Sequence, residues 1–439
     1  MVFKLQFPTV PVPRSLQTYQ VELELSETET SSEASSSSLS HIPTPNIFGI
    51  FRYYQKFSPF NCGLPRPFCY FTRTFTILSI LSMLFRVYWM FWQTGTETLT
   101  FGWAESKLYG FLAFESFICT IAICRITWSG SLARFEQNLG KLQSLRVGPE
   151  KIHKRIDNYR ILKIRVFCGS LFLFVSLTLA AVYLVAHKKF LWGEVKHSSW
   201  YWFIDPIIAI LGAYSNLLFL PNHFLLHHAI AREFDVFNDE LEEFSKARKL
   251  AIPSVMRQFG DRQVKLFEFT NFMTTRIANL MTWAPTFSLL ALLMGTYIIS
   301  RFDKSPETLY LISLISVTIS CFIMSFTLLY PVAFVQESMS ATAKILMTDS
   351  QIQNSNGPSV YNSYRIMLDR SLFNRTANCV LHVFDINRKN IERAFFFHSL
   401  VIVLMVVIYD FETGMEEGFG ELAKFAKMLK PAAGGVPGL

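Results

Sequence analysis

The sequence carries little charge and none of the common short motifs of enzymes. Only 17% of its 439 residues are Asp, Glu, Lys or Arg, whereas 51% are hydrophobic. It contains no P-loop, no Gly-x-Ser-x-Gly, no Cys-x-x-Cys and no glycine-rich nucleotide motif. The composition excludes an ordinary soluble protein. We expect no enzymatic activity, no catalytic residues and no cofactor.

The N-terminal segment lacks the pattern of a cleavable signal peptide. No charged start is followed by an apolar core, and residues 26–40 are rich in Ser and Glu. Such a segment cannot bury enough apolar surface to fold alone. We predict that residues 1–47 form a disordered, Ser-rich cytoplasmic tail.

Long apolar runs fill most of the rest of the chain. A bilayer-spanning helix needs about 20 predominantly apolar residues. Seven runs satisfy this requirement, at residues 71–94, 107–128, 165–187, 200–226, 275–300, 307–335 and 391–412. They predict an all-α polytopic membrane protein with seven transmembrane helices, in which residues 48–412 form one domain.

The distribution of basic residues predicts the direction of the spans. The loops after spans two, four and six carry eight, seven and six Lys or Arg residues, whereas the other three loops carry six between them. Basic loops stay in the cytoplasm. The N-terminus is therefore predicted inside and the C-terminus outside, with residues 413–439 as an extracellular tail. Because the net charge of +8 is spread over these loops, we expect no nucleic-acid partner.

The predicted outer loops and the predicted outer tail contain no cysteine. The oxidising side therefore offers no partners for a structural disulfide. The seven cysteines lie at positions 62, 69, 119, 124, 168, 321 and 379.

The predicted cytoplasmic loops contain amphipathic helices. Apolar residues recur at spacings of three and four in the loops after spans four and six, and Pro253 predicts a break between two helices. The residues are Phe234, Phe237, Leu241 and Phe244, then Phe259, Leu266, Phe269 and Phe272, and finally Ile366, Leu368, Leu372 and Phe373. We predict anchor helices over 227–274 and 337–390. They either pack on one another or on the membrane surface, or hold several subunits around an axis.

The last span combines an apolar stretch with carboxylates at its outer end. If several copies surrounded an axis, the stretch would form a constriction that gates by dewetting, and the carboxylates would concentrate cations. The alternative is an ordinary apolar span with a charged boundary. The candidate pore and gate residues are Phe397, Leu400, Val403, Leu404, Val407, Asp410 and Glu412.

Polar and aromatic side chains in the other spans are candidates for a ligand pocket. Intramembrane polar groups need a cavity or a partner, and outer aromatic residues either form an interfacial belt or line a pocket. The candidates are Tyr109, Glu115, Tyr183, Trp202, Asp205, Tyr297 and Tyr310. For Glu115, a structural bond between two helices is as well supported as a contact with a ligand. His223 and His227 have metal-ligand spacing but no accompanying carboxylate motif, so we predict no metal site.

Seven spans, an inside N-terminus and long helical cytoplasmic loops together resemble the invertebrate gustatory and odorant receptor superfamily. The most similar stretches are residues 231–241 and 385–388 leading into 395–411, and the Ser-rich tail is similar to that of a nematode gustatory-receptor-like member. The resemblance implies a tetrameric ligand-gated cation channel, homomeric or formed with related receptors, with a pore lined by the last helix. It implies a small organic ligand bound among the other six spans, and a place in the plasma membrane of sensory or neuronal cells. Some similar nematode proteins respond to light or peroxide instead.

One departure from the family pattern and two alternative protein classes bear on this interpretation. Insect members carry Thr-Tyr and, after five apolar residues, Gln in the last span, where this chain has Val403, Leu404 and Asp410. A G-protein-coupled receptor would need the opposite topology, and the chain lacks an Asp-Arg-Tyr-like end to span three and an Asn-Pro-x-x-Tyr in span seven. A transporter commonly shows internal repeats, which are absent here.

Overall fold

Helices make up almost all of the part of the chain that the computed structural model describes. The described residues are 46–63, 68–92, 99–147, 159–187, 201–281, 283–301, 308–349, 357–373, 379–380 and 384–429. They belong to one compact unit, Thr44–Leu439. The predicted disordered tail lies outside the described residues except for its last two positions. Of the predicted outer tail, residues 413–429 are described and are helical.

Eleven helices and two very short strands occur within these ranges. The helices are α1 (Ile50–Lys56), α2 (Phe68–Trp92), α3 (Phe101–Trp128), α4 (Ser131–Gln143), α5 (Arg160–His187), α6 (Tyr201–Lys246), α7 (Pro253–Met281), α8 (Ala284–Arg301), α9 (Thr308–Thr348), α10 (Pro358–Phe373) and α11 (Arg388–Leu429). Strands β1 (Cys379–Val380) and β2 (Phe384–Asp385) pair antiparallel just before α11.

Seven of the described helices, α2, α3, α5, α6, α8, α9 and α11, are long and apolar enough to cross a membrane. This result confirms the predicted all-α, seven-span fold. The direction of the spans stays a prediction. Proline does not interrupt α6 or α9, although Pro206 and Pro221 lie inside α6 and Pro331 inside α9. Neighbouring helices and side chains satisfy the backbone groups that such prolines free in membrane helices.

The predicted start of the fifth span at residue 275 is wrong. The structure has an amphipathic helix, α7, that continues to Met281, and the membrane-length helix α8 begins only at Ala284. Trp283 lies in the turn between them, and Pro285 occupies the first turn of α8, where the missing N–H costs nothing. The apolar residues at the end of α7 continue into α8 without a polar gap, so hydropathy alone does not separate the two helices.

Helix α6 lies at the centre of the bundle and extends well beyond a membrane. It packs against α2, α3, α5 and α9. Its 46 residues rise about 69 Å, more than twice the thickness of a hydrocarbon core of about 30 Å. The 41-residue helix α9 also extends beyond the membrane. Both helices project on the side that the charge pattern predicts to be cytoplasmic.

The projecting ends of α6 and α9 pack with α7 and α10 inside a single chain. Phe237 and Phe244 of α6 both meet Phe259 of α7, with ring centroids 5.7 and 5.3 Å apart. The Gln263 side chain of α7 donates to the Met367 carbonyl of α10 at 3.0 Å. The amphipathic stripes predicted on α6 and α7 therefore pack on one another, and a role in holding subunits together stays a prediction.

The packing face of α10 differs from the predicted one. Ile366, Leu372 and Phe373 are exposed in the chain. The buried residues of α10 are Val360, Tyr364, Met367 and Ser371, which recur at spacings of three and four. Aromatic and sulfur-containing side chains supply this face, whereas the prediction counted mainly aliphatic residues.

A buried ion pair connects the segment after α4 to α6. The Arg146 Nη2 and the Glu233 Oε1 are 2.5 Å apart, and the two side chains are 4% and 1% exposed. The Gln143 amide also donates to the Glu233 carboxylate at 3.1 Å. Several partners thus share one carboxylate in a place from which water is excluded.

We expect Glu233→Ala to lower the free energy of unfolding by about 3–5 kcal/mol, since it leaves the Arg146 guanidinium buried without its counter-charge. Chemical denaturation of the purified protein in detergent measures this loss. Glu242→Ala is the matched control, because the Glu242–Lys246 pair on the same helix is exposed and such pairs contribute at most about 1 kcal/mol. Equal losses in the two variants would contradict this account.

Candidate ligand pocket and pore helix

A cluster of polar aromatic contacts lies at the end of the bundle remote from the anchor helices. The Tyr310 hydroxyl of α9 donates to the Glu105 carboxylate of α3 at 2.7 Å, and both side chains are buried. The Tyr310 ring also packs against Phe101, with centroids 5.8 Å apart, and against Tyr183, with centroids 6.2 Å apart. Two predicted pocket residues, Tyr183 and Tyr310, are therefore in contact.

Glu105 was missed in the sequence because it stands just before the predicted start of span two. The structure starts α3 at Phe101, and the Thr100 hydroxyl accepts a hydrogen bond from the Trp103 N–H as an N-cap. Glu105 then lies one helical turn before Tyr109, on the same face of α3. The four-residue spacing of Glu105 and Tyr109 was the signal present in the sequence. Recognising it required the correct start of α3.

An ion pair joins α2 to α6 beside this cluster. The Arg86 Nε donates to the Asp205 Oδ1 at 2.7 Å, and the Nη2 donates to the Oδ2 at 3.3 Å. The side chains are 6% and 14% exposed. A two-point contact of this kind fixes both distance and orientation. Asp205, predicted as a pocket residue, is thus held by the intramembrane Arg86.

A small cavity lies next to the ion pair and the aromatic cluster. Its volume is about 30 Å³, and its polar lining residues are Arg86, Tyr109 and Ser116. The remaining lining residues are apolar and mostly small, namely Leu112, Leu177, Ala180, Ala181, Ala209, Ala213 and Val317. A cavity of this size accommodates a water molecule, whereas small-molecule sites measure about 300–1,000 Å³. The cavity is closed to an organic ligand in this conformation.

Glu115 forms an interhelical bond and does not line this cavity. Its carboxylate accepts from the Asn216 amide of α6 at 2.7 Å and from the Cys119 thiol at 3.2 Å. The same amide reaches the Ser116 hydroxyl at 3.4 Å. A Cβ added at Gly212 would come within 2.9 Å of the Ser116 Oγ, so glycine is required for this close approach of α3 and α6. The geometry favours a structural role for Glu115.

The remaining pocket candidates do not join the cavity. Tyr297 is fully buried on α8, and its hydroxyl donates to the Leu99 carbonyl at 2.8 Å, which holds the start of α3. The side chain of Trp202 lies outside the described residues. Of the predicted pocket residues that the structure describes, Tyr109 lines the cavity. Asp205 pairs with Arg86, which also lines the cavity, and Tyr183 and Tyr310 contact each other.

The predicted pore residues share one exposed face of α11. Phe397, Leu400, Leu404 and Val407 recur at spacings of three and four, with Val403 adjacent, and each of the five is between 44% and 60% exposed. No residue of α11 from 388 to 411 is buried in the single chain. Asp410 follows on the same face, and its carboxylate lies 2.6 Å from the Arg301 guanidinium of α8. The Glu412 side chain lies outside the described residues.

The histidines of α6 bond to backbone groups. The His223 Nε2 lies 3.2 Å from the Leu328 carbonyl oxygen, and the His227 Nδ1 lies 3.0 Å from the His223 carbonyl oxygen. Within the described parts of the chain, no group of three or more His, Cys, Asp and Glu side chains is placed to hold a metal ion. The two imidazole rings pack against each other in the core, with centroids 4.3 Å apart and ring planes tilted by 52°.

We expect Tyr310→Phe to lower the free energy of unfolding by about 1–3 kcal/mol, because the buried Glu105 carboxyl loses its hydrogen-bond donor. Thermal unfolding in detergent provides the measurement. Tyr330→Phe on the same helix is the control, since the Tyr330 side chain is 42% exposed and should change stability little. If Tyr310→Phe lowers the free energy of unfolding no more than Tyr330→Phe does, the result would contradict a stabilising Tyr310–Glu105 hydrogen bond.

Comparison with solved structures places this arrangement of helices in a known fold. The chain is similar to the insect olfactory receptor OR5 from Machilis hrabei, with a TM-score of 0.59 and 12% identity over 77% of this chain and 90% of that one. It is similar to the same receptor in complex with eugenol, with a TM-score of 0.61 and 11% identity over 82% and 97%. These likenesses show that the chain shares the fold of that receptor.

Sequence comparison gives the family itself. No curated protein matches this chain. The model of a nematode family, described as Caenorhabditis protein of unknown function, DUF267, matches residues 47–401. This match extends from the segment before α1 into the first part of α11. The chain belongs to the DUF267 family of Caenorhabditis proteins.

Proposed function

We propose that this protein is a chemosensory receptor of gustatory-receptor type that is itself a ligand-gated, non-selective cation channel. The observation that carries the proposal is the state of α11. This helix is long and apolar enough to span a membrane, yet none of its residues from 388 to 411 is buried in the single chain. Several copies around an axis would supply the missing contacts of α11, and a homo- or heterotetramer with related receptors fits this need.

The face of α11 has the properties of a gated cation pore. Leu400, Leu404 and Val407 would form apolar rings that exclude water when the rings are narrow. Asp410, next along the same face, would place repeated carboxylates at the mouth. Its partner Arg301 is 30% exposed and Asp410 is 52% exposed, so water and salt weaken this pair. Each carboxylate can then exchange Arg301 for a passing cation.

Loose packing on one side of α11 supports a gating movement. A groove of about 570 Å³ separates part of α11 from α8, with mainly apolar walls that include Leu289, Leu293 and Phe397. The other side of α11 is held by apolar contacts such as that between Phe395 and Phe322, whose ring centroids are 5.7 Å apart. Apolar contacts of this kind let a helix shift at lower cost than buried polar bonds would.

The cavity beside Arg86 and Tyr109 is the proposed ligand site. Its small volume means that a ligand must open it, and a ligand that fits only the open form would shift the closed–open equilibrium by its differential affinity. The polar groups of Arg86, Tyr109 and Ser116 would orient one polar group of the ligand, and the small apolar residues would receive its hydrocarbon part. We propose a small aromatic or aliphatic molecule with a single polar group. The structure of the olfactory receptor OR5 from Machilis hrabei is known in complex with eugenol.

The proposed orientation has the N-terminus and the anchor helices in the cytoplasm, and the C-terminus outside. The charge bias of the loops supports it. In this orientation the proposed ligand cavity and Asp410 both lie toward the outer surface of a sensory or neuronal cell. A ligand would reach the cavity from outside, and Asp410 would meet extracellular cations.

We expect this chain, expressed alone in a cell without related receptors, to give a cation current when small aromatic alcohols and phenols are applied. Asp410→Asn should lower the single-channel conductance about twofold to tenfold, because the mouth loses its negative charge. Glu392→Gln is the matched control, because this carboxylate lies at the other end of the apolar span and pairs with its neighbour Arg388 on the helix surface.

A C-terminal tag reachable in unpermeabilised cells verifies both surface expression and orientation in this experiment. Absence of current across a broad ligand panel, with the tag reachable, would refute the channel proposal. A tag reachable only after permeabilisation would refute the orientation.

Peroxide sensing is the second candidate, and a cluster of free thiols favours it. Cys62 lies in the turn after α1, where its N–H donates to the Thr127 hydroxyl of α3 at 3.4 Å and its carbonyl accepts from the Cys69 thiol at 3.4 Å. A hydrogen bond from the nearby Cys124 thiol lowers the pKa of the Cys62 thiol to about 6, against the effect of burial. This hydrogen bond favours the thiolate of Cys62, which is the reactive form.

The two sulfurs are placed for a balanced oxidation. The Cys62 thiolate attacks one oxygen of hydrogen peroxide, the O–O bond breaks, and sulfenic acid and water form. The Cys124 thiol then displaces the hydroxyl of the sulfenic acid as a second water, which leaves a disulfide. Two thiols are oxidised and one peroxide is reduced to two waters. The bond would tie the turn after α1 to α3.

We expect peroxide to produce a Cys62–Cys124 disulfide, detected by peptide mass spectrometry, at a rate that rises between pH 5 and 7 with a midpoint near the Cys62 pKa of about 6. The rate rises because the reactive thiolate is populated above that pKa. Cys124→Ser should stop the reaction at the sulfenic acid, whereas Cys168→Ser, at an exposed free cysteine, should leave it unchanged. A rate that does not vary with pH would contradict the thiolate step.

A further inference from the structure

The groove between α8 and α11 is large enough to bind a small molecule. Its volume of about 570 Å³ lies within the range of about 300–1,000 Å³ that is typical of small-molecule sites. At about 30 Å³ for each water-sized group, it would hold about 19 non-hydrogen atoms. The proposed ligand cavity beside Arg86 shares no lining residue with this groove.

Both long walls of the groove are apolar helix faces, on which the side chains recur at spacings of three and four. One end is closed, because Ile386, in the segment between β2 and α11, is buried against Leu329 of α9. Phe397 and Val401 are 60% and 38% exposed, so the groove is open on one side. The apolar residues of the two walls are Leu289, Leu290 and Leu293 of α8 and Ala394, Phe397 and Val401 of α11.

Most polar groups that line the groove have partners within the protein. The Asn390 amide donates to the Asp385 carbonyl at 2.8 Å, and the Arg393 guanidinium donates to the Asn390 Oδ1 at 3.4 Å. Asp385 and Thr286 take part in further interactions as well. The groove contains groups of both charges, so we do not expect a charged ligand.

One polar atom of the lining differs from these groups. His398 lies about two turns after Asn390 on α11, and its ring donates to the Leu292 carbonyl of α8. The His398 Nε2 is buried and has no hydrogen-bond partner among the residues that the structure describes. The proton of the bond to Leu292 is therefore on Nδ1, which makes Nε2 an acceptor. A buried acceptor with apolar surroundings lowers stability unless a donor reaches it.

We infer that this groove binds an uncharged, membrane-soluble alcohol, whose hydroxyl donates to the His398 Nε2 and whose hydrocarbon part lies along Leu290 and Phe397. A water molecule would satisfy Nε2 but would fill only a small part of the volume. The hydrocarbon tail of a lipid would cover the apolar walls but would leave Nε2 without a donor, and a carboxylate offers no donor either. The inference rests on the groove alone and does not require that the protein be a channel.

Photolabelling of the full-length protein in phosphatidylcholine vesicles tests this inference, with hexadecanol that carries a diazirine as the label. We expect peptide mass spectrometry to find the label on α8 and α11. Unlabelled hexadecanol should displace the label about tenfold more effectively than its methyl ether, because the ether cannot donate a hydrogen bond to Nε2. Equal displacement by the alcohol and the ether would overturn the inference.

Three variants of α11 test the role of His398. His398→Phe should remove the preference for the alcohol over the ether, since it keeps a ring but removes Nε2. His398→Gln, whose side-chain oxygen accepts a hydrogen bond, should keep part of the preference. Ser399→Ala is the matched control, because Ser399 is exposed, donates to the Phe395 carbonyl of its own helix at 3.1 Å and does not line the groove. If Ser399→Ala loses the preference as fully as His398→Phe does, the assignment of His398 is wrong.

Substitutions at Leu290 distinguish a ligand from a neighbouring subunit. Leu290→Trp fills the groove from the α8 wall and should lower the labelling severalfold, in a protein that keeps the melting temperature of the wild type. In Leu290→Cys, we expect hexadecanol to protect the new thiol from alkylation. A cross-link between the 290 positions of two copies that hexadecanol does not reduce would show that another copy of the chain covers the groove, and it would overturn the inference. None of these measurements needs a current, so their result is independent of the channel proposal.

Discussion

The arrangement of the bundle depends on one constraint, which is that every charged or polar group inside a membrane must find its partner within the protein. Arg86 finds Asp205, Glu115 finds Asn216, and Glu105 finds Tyr310. Each bond crosses from one helix to another, and together they connect α2, α3, α6 and α9. Because apolar side chains gain little from choosing a protein neighbour over a lipid tail, these bonds determine which helices are neighbours.

Helix α11 differs from these four helices in how it is attached to the bundle. Its contacts with α8 and α9 are mostly between apolar side chains, and its ion pair with Arg301 lies at a hydrated end. The described helices α2, α3, α6 and α9 are thus connected by buried polar bonds, whereas α11 is held mainly by apolar contacts and one partly exposed ion pair. The proposed gating movement of α11 would make use of this difference.

Much of the fold could be predicted from the sequence, because apolar length and helical periodicity are local properties. The seven spans and the stripe of Phe234, Phe237 and Leu241 depend only on neighbours within a few turns. The start of span five was misplaced because the amphipathic α7 runs into α8 with no polar gap. The packing face of α10 was misassigned because Tyr364 and Met367 are as suitable for burial as Leu372.

The candidate site was less predictable for a different reason. Which intramembrane polar groups pair depends on contacts between residues that are far apart in the sequence, such as Arg86 with Asp205 and Tyr310 with Glu105. A single sequence identifies Arg86 and Asp205 as groups in need of partners, but it does not choose between a partner and a ligand. Glu105 was hidden by an error of a few residues in a helix start, which moved it from a span into a loop.

Because α6 is one continuous helix, a small tilt at one end would displace its other end. Asp205 lies near one end and Glu240 near the other, bonded to Arg262 of α7, and the 35 residues between them correspond to about 53 Å of helix. A tilt of about 1° at the ion pair beside the cavity would carry the far end sideways by about 0.9 Å over that length. A very small tilt of α6 beside the closed cavity would thus displace its far end, among the anchor helices, by a distance comparable to a bond length.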